Sequence, residues 1–236
     1  MHLAVGGSSQ SPENPRSSEK REVKLRAPRV VYQTLRAIAH LVNRLYWRVS
    51  IEGAEVPSSG GVILAPVHRS FIDFFVVSET TRRDLFFMTK EEMWRSRPLG
   101  RLLDMTGAFP VRRQGTDRLA LDRAQRLLER GEVLVMFPEG TRRAGPVVED
   151  LEEGVAFLAA RSGAAIVPIG VGGTTESLPR GSKFPRPKKV HLVVGTALLP
   201  EPRPDGGRTP RRELRELSAR LCSELQRLYD LARSRS

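Results

Sequence analysis

The sequence predicts an α/β fold with a central, mostly parallel sheet flanked by helices. Short apolar runs alternate along the chain with segments of helical periodicity, and runs of this kind are typical of buried strands. This alternation favours a parallel sheet, because two parallel neighbours need a long crossover between them. The chain has 236 residues, which is enough to bury a substantial core, so we expect one compact domain with appended helices.

The N-terminal region is predicted to contain a tail and a helix. Residues 1–27 are rich in Ser, Gly, Pro and charge, which predicts a disordered basic tail. Residues 28–50 are predicted to form an amphipathic helix with an apolar side and a basic side. The apolar positions are Val31, Leu35, Ile38, Val42, Leu45 and Val49, and the basic side carries Arg36, His40, Arg44 and Arg48. The helix could lie on a membrane surface, where Tyr46 and Trp47 suit the boundary, or pack on the domain with a solvated basic face.

Residues 51–236 are predicted to form the main domain. Five apolar runs in it have the composition of buried strands. They are residues 61–66, 84–89, 132–137, 165–171 and 189–195. Helices are predicted over 117–130 and 151–162, because each of these segments is followed by a glycine that can end it.

The chain is predicted to end in a long helix. Thr209 and Pro210 are start signals for it. Its apolar stripe consists of Leu214, Leu217, Leu221, Leu225 and Leu228. Cys222 lies beside this stripe and is interpreted as a packing residue. The stretch 179–189 is rich in proline and basic residues and is predicted to be a loop.

Charge and cysteine content limit the class of protein. The formal net charge is +12 and the isoelectric point is about 10.8, which predicts attraction to nucleic acid, an anionic membrane or acidic substrates. A single cysteine cannot form an internal disulfide, and no Cys/His grouping predicts zinc. We find neither a secretory signal nor an apolar run long enough to span a bilayer. Membrane contact is therefore expected to be peripheral and on the cytoplasmic face.

The segment PVHRSFIDFF places His68 and Asp73 directly after a predicted strand. The strand ends of an α/β sheet are where ligands commonly bind. With Asp73 in the first turn of the next helix, its carboxylate can accept from one imidazole nitrogen and hold the other as a base. Such a base can take the proton of an attacking hydroxyl, a step worth about 10²–10⁴-fold in rate. We therefore predict His68 as the base and Asp73 as its orienting partner; taken alone, His68 could also be a structural residue near a helix cap.

No nucleophile motif accompanies this pair. The sequence has no G-x-S-x-G, H-E-x-x-H or G-x-x-x-x-G-K-[ST] segment. A serine hydrolase, a zinc protease and a P-loop enzyme therefore lose support.

Two further segments are candidates for binding phosphate. GAFPVRRQG carries Arg112 and Arg113 after a short strand-like run, and guanidinium groups suit phosphate oxygens. FPEGTRR follows a predicted strand, and its Arg142 offers a further phosphate donor. Glu139 could accept from a substrate hydroxyl or clamp a basic residue. Taken singly, each segment could equally be a solvated turn or a surface salt bridge.

Taken together, these segments resemble the glycerolipid acyltransferase family, which includes the 1-acylglycerol-3-phosphate (lysophosphatidic acid) O-acyltransferases. The resemblance extends from about Gly61 to Thr174. It is most specific in the segments HRSFID and FPEGTR, and GAFPVRR and IVP support it.

The resemblance implies direct transfer of a fatty acyl group from acyl-CoA or acyl carrier protein to the free hydroxyl of 1-acylglycerol-3-phosphate, giving phosphatidic acid. It implies that His68 is the base, that Asp73 orients it, and that no metal or other cofactor is needed. The residues expected to bind the acceptor are Ser70, Arg112, Arg113, Glu139, Gly140, Thr141 and Arg142. Backbone amides after His68 are candidates for stabilising the oxyanion.

The acceptor is defined less narrowly than the reaction. Arg112 and the acidic pair Glu152-Glu153 depart from the family pattern, and charges around the phosphate pocket distinguish one acceptor from another. Another lysophospholipid, a glycolipid sugar hydroxyl or acyl exchange between phospholipids therefore remains open. A non-catalytic protein that binds an anionic membrane or nucleic acid would explain the charge but not the histidine–aspartate pair, so no nucleic-acid partner is expected.

Overall fold

Seven strands form one sheet in the computed structural model, which describes residues 28–112, 117–201 and 209–236. They are β1 (Ser50–Gly53), β2 (Val62–Pro66), β3 (Leu85–Lys90), β4 (Ala108–Val111), β5 (Val133–Val135), β6 (Ala165–Gly172) and β7 (His191–Val194). Their order across the sheet is β1-β7-β6-β2-β5-β3-β4. Strands β2 to β6 run in one direction, whereas β1 and β7 run in the other. The predicted tail, residues 1–27, lies outside the described residues.

The mostly parallel sheet confirms the predicted fold class. Each apolar run predicted as a strand is one, namely β2, β3, β5, β6 and β7. Strand β1 was not predicted, because it is a short edge strand whose side chains alternate between half-buried and exposed. It therefore lacks the continuous apolar composition of strands that are buried on both faces.

Helices flank the sheet. They are α1 (Arg29–Leu45), α2 (Asp73–Val77), α3 (Arg97–Met105), α4 (Arg118–Glu129), α5 (Gly154–Ser162), α6 (Thr174–Ser177) and α7 (Arg211–Arg235). Helices α4, α5 and α7 were predicted, and Gly163 ends α5 in a left-handed conformation with φ of 69°. Helices α3 and α6 were not predicted, because Pro98 and Gly100 interrupt the pattern of α3 and α6 has only four residues.

The core is centred on β2, β6 and α7. Every residue of β2 and β6 is buried. Helix α7 approaches β6 at two glycines, because a Cβ at Gly170 would lie 2.2 Å from the carbonyl oxygen of Leu228 and one at Gly172 would lie 2.3 Å from that of Ala232. The predicted leucine stripe of α7 is buried: Leu214, Leu217, Leu221, Leu225 and Leu228.

Cys222 packs beside the leucine stripe. Its thiol donates to the carbonyl of Val148 at 3.3 Å. Burial raises the pKa of the thiol, and nearby carboxylates add to the effect. A neutral, hydrogen-bonded thiol agrees with the interpretation of Cys222 as a packing residue.

Helix α1 contacts the domain with its polar side. Arg36 donates to the backbone carbonyls of residues 81–83. His40 Nδ1 lies 2.5 Å from Glu79 Oε2, and Asn43 donates to Glu79 Oε1 at 2.8 Å. Part of the side predicted to be basic and solvated is therefore occupied by the domain.

The apolar side of α1 faces solvent. Ile38, Leu41 and Leu45 are 55%, 56% and 69% exposed. Trp47, which was predicted to suit a membrane boundary, is instead buried and donates to Ser177 Oγ at 2.8 Å. Among the residues that the structure describes, no helix combines the length and apolarity required to cross a membrane.

Candidate active site

Two motif segments meet at the carboxyl edge of the central strands. His68 follows β2, and FPEGTRR follows β5. Because β2 and β5 are parallel neighbours, their ends bring both segments to the same edge of the sheet. The N–H of Arg143 donates to the carbonyl of His68 at 2.9 Å, which joins the two segments directly.

His68 and Asp73 form a hydrogen-bonded pair. His68 Nδ1 lies 3.0 Å from Asp73 Oδ2, and the same oxygen accepts the backbone N–H groups of Arg69 and Ser70 at 2.7 Å each. Asp73 is fully buried, whereas His68 remains 8% exposed. A carboxylate only accepts hydrogen bonds, so the facing Nδ1 carries a proton and Nε2 is left as the basic nitrogen.

Two phenylalanines enclose the imidazole of His68. Phe137 stacks on it with ring centroids 3.9 Å apart, and Phe74 meets it edge-on with centroids 5.5 Å apart. These apolar walls fix the plane of the ring and exclude water from it, which strengthens its hydrogen bond to Asp73. Sequence reasoning missed this role, because an aromatic residue next to an apolar run has the pattern of a core residue.

Glu139 is buried in an ion pair with Arg69. Its two carboxylate oxygens lie 2.5 and 2.6 Å from Arg69 Nη1, and Oε2 also accepts the N–H of His68 at 2.8 Å. The side chains of Arg69 and Glu139 are 2% and 0% exposed. Of the two roles considered for Glu139, the structure shows the clamp on a basic residue.

Arg69 connects the histidine segment to the C-terminal helix. Its guanidinium donates to the carbonyl of Val147 at 3.0 Å and lies 4.8 Å from the centroid of the Tyr229 ring. Burial raises the pKa of Tyr229, so the phenol stays neutral beside the cation. Sequence reasoning missed Arg69, because its partners are far away in the chain.

The other predicted acceptor residues near His68 differ in accessibility. Ser70 is buried, and its hydroxyl donates to a backbone carbonyl at 3.3 Å. Gly140 has φ of 62°, which the tight turn requires. Thr141 is exposed. Arg142 is half-buried, with its guanidinium 3.7 Å above the ring centroid of Phe71, so Thr141 and Arg142 are open to a ligand.

Arg112 is not brought next to His68. It follows β4, which is three positions from β2 in the sheet order, and adjacent strands are spaced by about 4.8 Å. Its side chain is 76% exposed and donates to Glu91 Oε2 at 2.9 Å, a hydrogen bond that raises the pKa of Arg112. Arg113 lies outside the described residues.

Two of the backbone amides expected as oxyanion donors already make hydrogen bonds within the protein. Those of Arg69 and Ser70 donate to Asp73 Oδ2. They orient the aspartate and are therefore not free for an oxyanion at the reacting carbonyl.

A comparison with known protein families matches the region that carries the candidate site. A family model described as Acyltransferase matches residues 48–172, which is more than half of the chain. The matched region contains the histidine–aspartate segment, FPEGTRR and the six strands β1 to β6.

Several curated relatives are named 1-acyl-sn-glycerol-3-phosphate acyltransferases. The chloroplastic LPAT1 of Arabidopsis thaliana is 30% identical over 142 residues, which are 58% of this chain and 40% of that protein. A Chlamydomonas reinhardtii protein is 28% identical over 72% of this chain and 55% of its own length. The Bacillus subtilis protein is 26% identical over 61% of this chain and 69% of its own length. The chain thus spans about half the length of the plant and algal relatives it matches.

A solved structure has the same fold. The crystal structure of PlsC, the 1-acyl-sn-glycerophosphate (LPA) acyltransferase from Thermotoga maritima, superposes with a TM-score of 0.67 at 20% sequence identity. The superposition covers 92% of this chain and 83% of that one. At this level of identity, the likeness establishes the fold.

Proposed function

The chain belongs to the acyltransferase family, and we propose that it moves a fatty acyl group from a thioester to the free hydroxyl of 1-acylglycerol-3-phosphate. The donor is acyl-CoA or acyl carrier protein, and the product is phosphatidic acid. The proposal rests on the His68–Asp73 pair, whose 3.0 Å hydrogen bond leaves Nε2 as a base at the ligand-binding edge of the sheet. The names of the curated relatives support this choice of acceptor.

In the proposed mechanism, His68 moves one proton. Its Nε2 takes the proton of the acceptor hydroxyl as the oxygen attacks the carbonyl carbon of the thioester. Asp73 stabilises the imidazolium through Nδ1. A carbon–oxygen bond forms and the carbon–sulfur bond breaks, and the departing thiolate takes the proton from Nε2. The transfer is therefore direct, without an acyl-enzyme intermediate.

We assign the acceptor phosphate to Arg142 and Arg180. Nη2 of Arg180 donates to the carbonyl of Arg142 at 2.5 Å, so the two residues lie side by side. Arg142 is held over the exposed ring of Phe71 at the mouth of the site. Two guanidinium groups can fix a phosphate and thereby aim the hydroxyl at the base. The buried Glu139–Arg69 pair holds the loop that carries Arg142.

We further propose that the protein binds the cytoplasmic face of a membrane peripherally. The apolar side of α1 is exposed while its polar side is occupied by the domain, which is the orientation that an interfacial helix needs. The net charge of +12 favours an anionic leaflet. A lipid acceptor would then reach the site from the same surface.

Acyl transfer from a labelled long-chain acyl-CoA to lysophosphatidic acid tests the proposed function. Replacing His68 by Ala removes the base, and we expect transfer to fall by about 10²–10⁴-fold. Asp73→Asn should lower it by at least about 10²-fold, because the amide cannot stabilise the imidazolium. A matched control is Asp230→Asn, since Asp230 pairs with Gln226 on the exposed side of α7. Undiminished transfer by a folded His68→Ala variant contradicts the mechanism.

Defined acceptors separate the proposed substrate from its alternatives. Lysophosphatidic acid is compared with lysophosphatidylcholine, a glycolipid and glycerol 3-phosphate under the same conditions. If Arg142 and Arg180 bind a phosphate monoester, lysophosphatidic acid should be acylated fastest, and Arg142→Gln should raise its KM more than it lowers kcat. Preference for an uncharged glycolipid hydroxyl would exclude the proposed acceptor.

A further inference from the structure

We propose that residues 179–189, here named the basic loop, form a second membrane contact in which Phe184 inserts among anionic lipids beside the active site. The proposal rests on the proposed function in so far as that function places the substrate in a membrane. It concerns a segment apart from the His68–Asp73 pair and identifies a specific side chain, Phe184, that enters the lipid.

Most of the surface of the apolar Phe184 side chain is exposed to solvent. It is 78% exposed, more than any other large apolar side chain in the described part of the chain. A largely exposed phenylalanine on a loop is costly in water, and it gains free energy on entering an acyl environment. Its exposure therefore indicates a binding surface.

The charge of the basic loop indicates what that surface binds. The loop carries Arg180, Lys183, Arg186, Lys188 and Lys189, all of them exposed. It contains no acidic residue. Each such cation near an anionic leaflet strengthens binding by about five-fold. Positive charge around an exposed apolar side chain matches a lipid surface, in which phosphates lie above the acyl chains.

The basic loop has a fixed shape. Ser177 Oγ donates to the carbonyl of Arg186 at 2.7 Å, and the N–H of Arg186 donates to the carbonyl of Ser177 at 2.7 Å. Tyr46 Oη donates to the carbonyl of Pro185 at 2.7 Å. These bonds fix the two residues that follow Phe184 and hold them against the end of α1. Phe184 is therefore presented on ordered backbone, which lowers the entropy lost on insertion.

The position of the basic loop joins the exposed side of α1 to the active site. On one side, Tyr46 links the loop to the C-terminal end of α1, where Leu45 is 69% exposed. On the other side, Arg180 contacts Arg142, which we assign to the acceptor phosphate. Insertion of Phe184 would thus bring the mouth of the site to the lipid surface.

Nucleic acid is the competing ligand for a basic loop with an exposed aromatic ring, because bases stack on such rings. The neighbouring apolar surface favours lipid. Leu41 and Leu45 of α1 are exposed aliphatic side chains. They provide neither a ring on which a nucleobase could stack nor a charge for a phosphate. They are suited to acyl chains.

Sedimentation with vesicles tests the proposal. Wild type and Phe184→Ser are compared on phosphatidylcholine vesicles with and without phosphatidylglycerol. We expect the substitution to reduce partitioning onto the anionic vesicles by about ten-fold. The control is Leu199→Ser: Leu199 is 65% exposed but lies next to Leu198, which bridges to the amino end of β6 at the opposite edge of the sheet. Equal binding by Phe184→Ser and wild type overturns the proposal.

A second variant reports insertion directly. In Phe184→Trp, lipids brominated on the acyl chain should quench the fluorescence of the introduced indole, above the background from Trp47 and Trp94 that wild type provides. If the introduced indole stays unquenched on bound protein, the proposal is overturned, and binding of single-stranded DNA that depends on Phe184 without any vesicle binding also overturns it. Acyl transfer is measured on the same samples. If wild type binds vesicles through Phe184 but transfers no acyl group, the proposed function fails while the membrane contact stands.

Discussion

The predicted catalytic histidine is held at three points. Asp73 accepts from its ring, Phe137 stacks on its face, and Glu139 accepts its backbone N–H. The charge of Glu139 is balanced by Arg69, and both side chains are almost completely buried. A buried pair of this kind contributes little net stability, but losing one partner leaves an uncompensated charge in the interior. At the scale of single residues, the geometry of the site therefore depends on a pair that lies behind the histidine.

Breaking this pair should destabilise the protein strongly. We expect Arg69→Met to lower the free energy of unfolding by about 3–5 kcal/mol, because the carboxylate of Glu139 stays buried without its cation. Urea denaturation measures the change. The double variant Arg69→Met/Glu139→Gln should recover part of it, since the amide is neutral and its oxygen can still accept the N–H of His68. A double variant less stable than Arg69→Met would refute this account of the pair.

At the scale of elements, the sheet order is what assembles the site. Segments far apart in the chain meet because β2 and β5 are neighbours and end at the same edge. Helix α1 is positioned by the polar contacts of Arg36, His40 and Asn43, which leave its apolar side outward. The helix is thus oriented by hydrogen bonds to the domain, and its apolar residues remain available for a lipid surface.

Polar replacements on the exposed side of α1 test this orientation. We expect Leu41→Asn/Leu45→Asn to weaken binding to anionic vesicles by more than about ten-fold, because two apolar side chains no longer enter the lipid. Thermal unfolding should be nearly unchanged, since both side chains are mostly exposed. Leu199→Asn provides the exposed-leucine control. A large loss of stability in the double variant would show that these leucines pack on the protein.

The sequence predicted those features that local pattern determines. Strands β2, β3, β5, β6 and β7 are apolar runs because the sheet buries them, and the His68–Asp73 pair is confined to one strand exit and the following turn. Features set by distant partners could not be predicted. The pairing of Arg69 with Glu139 depends on the order of strands in the sheet, and an amphipathic pattern does not tell which side of α1 meets the domain.

At the scale of the whole molecule, one edge carries both the chemistry and the surfaces proposed to bind lipid. His68, Arg142 and the basic loop all follow the carboxyl ends of parallel strands, and Tyr46 connects α1 to the basic loop. The chain has 39 basic and 27 acidic residues, so long-range attraction to an anionic leaflet adds to these local contacts. Charge attraction and apolar insertion respond differently to salt. Dissolved ions screen the attraction between the basic residues and the leaflet, but they do not weaken apolar insertion.

Salt should therefore separate electrostatic from apolar binding. Raising sodium chloride from about 0.1 M to about 1 M shortens the screening length from about 10 Å to about 3 Å. We expect binding of the full chain to phosphatidylglycerol-containing vesicles to fall by more than about ten-fold over this range, because several basic residues lose their attraction to the leaflet. The weaker binding to pure phosphatidylcholine should change little, since it depends on the leucines of α1 and on Phe184. If binding to the phosphatidylglycerol-containing vesicles is as strong at high salt as at low salt, the basic residues contribute no electrostatic attraction, and apolar insertion alone holds the protein at the membrane.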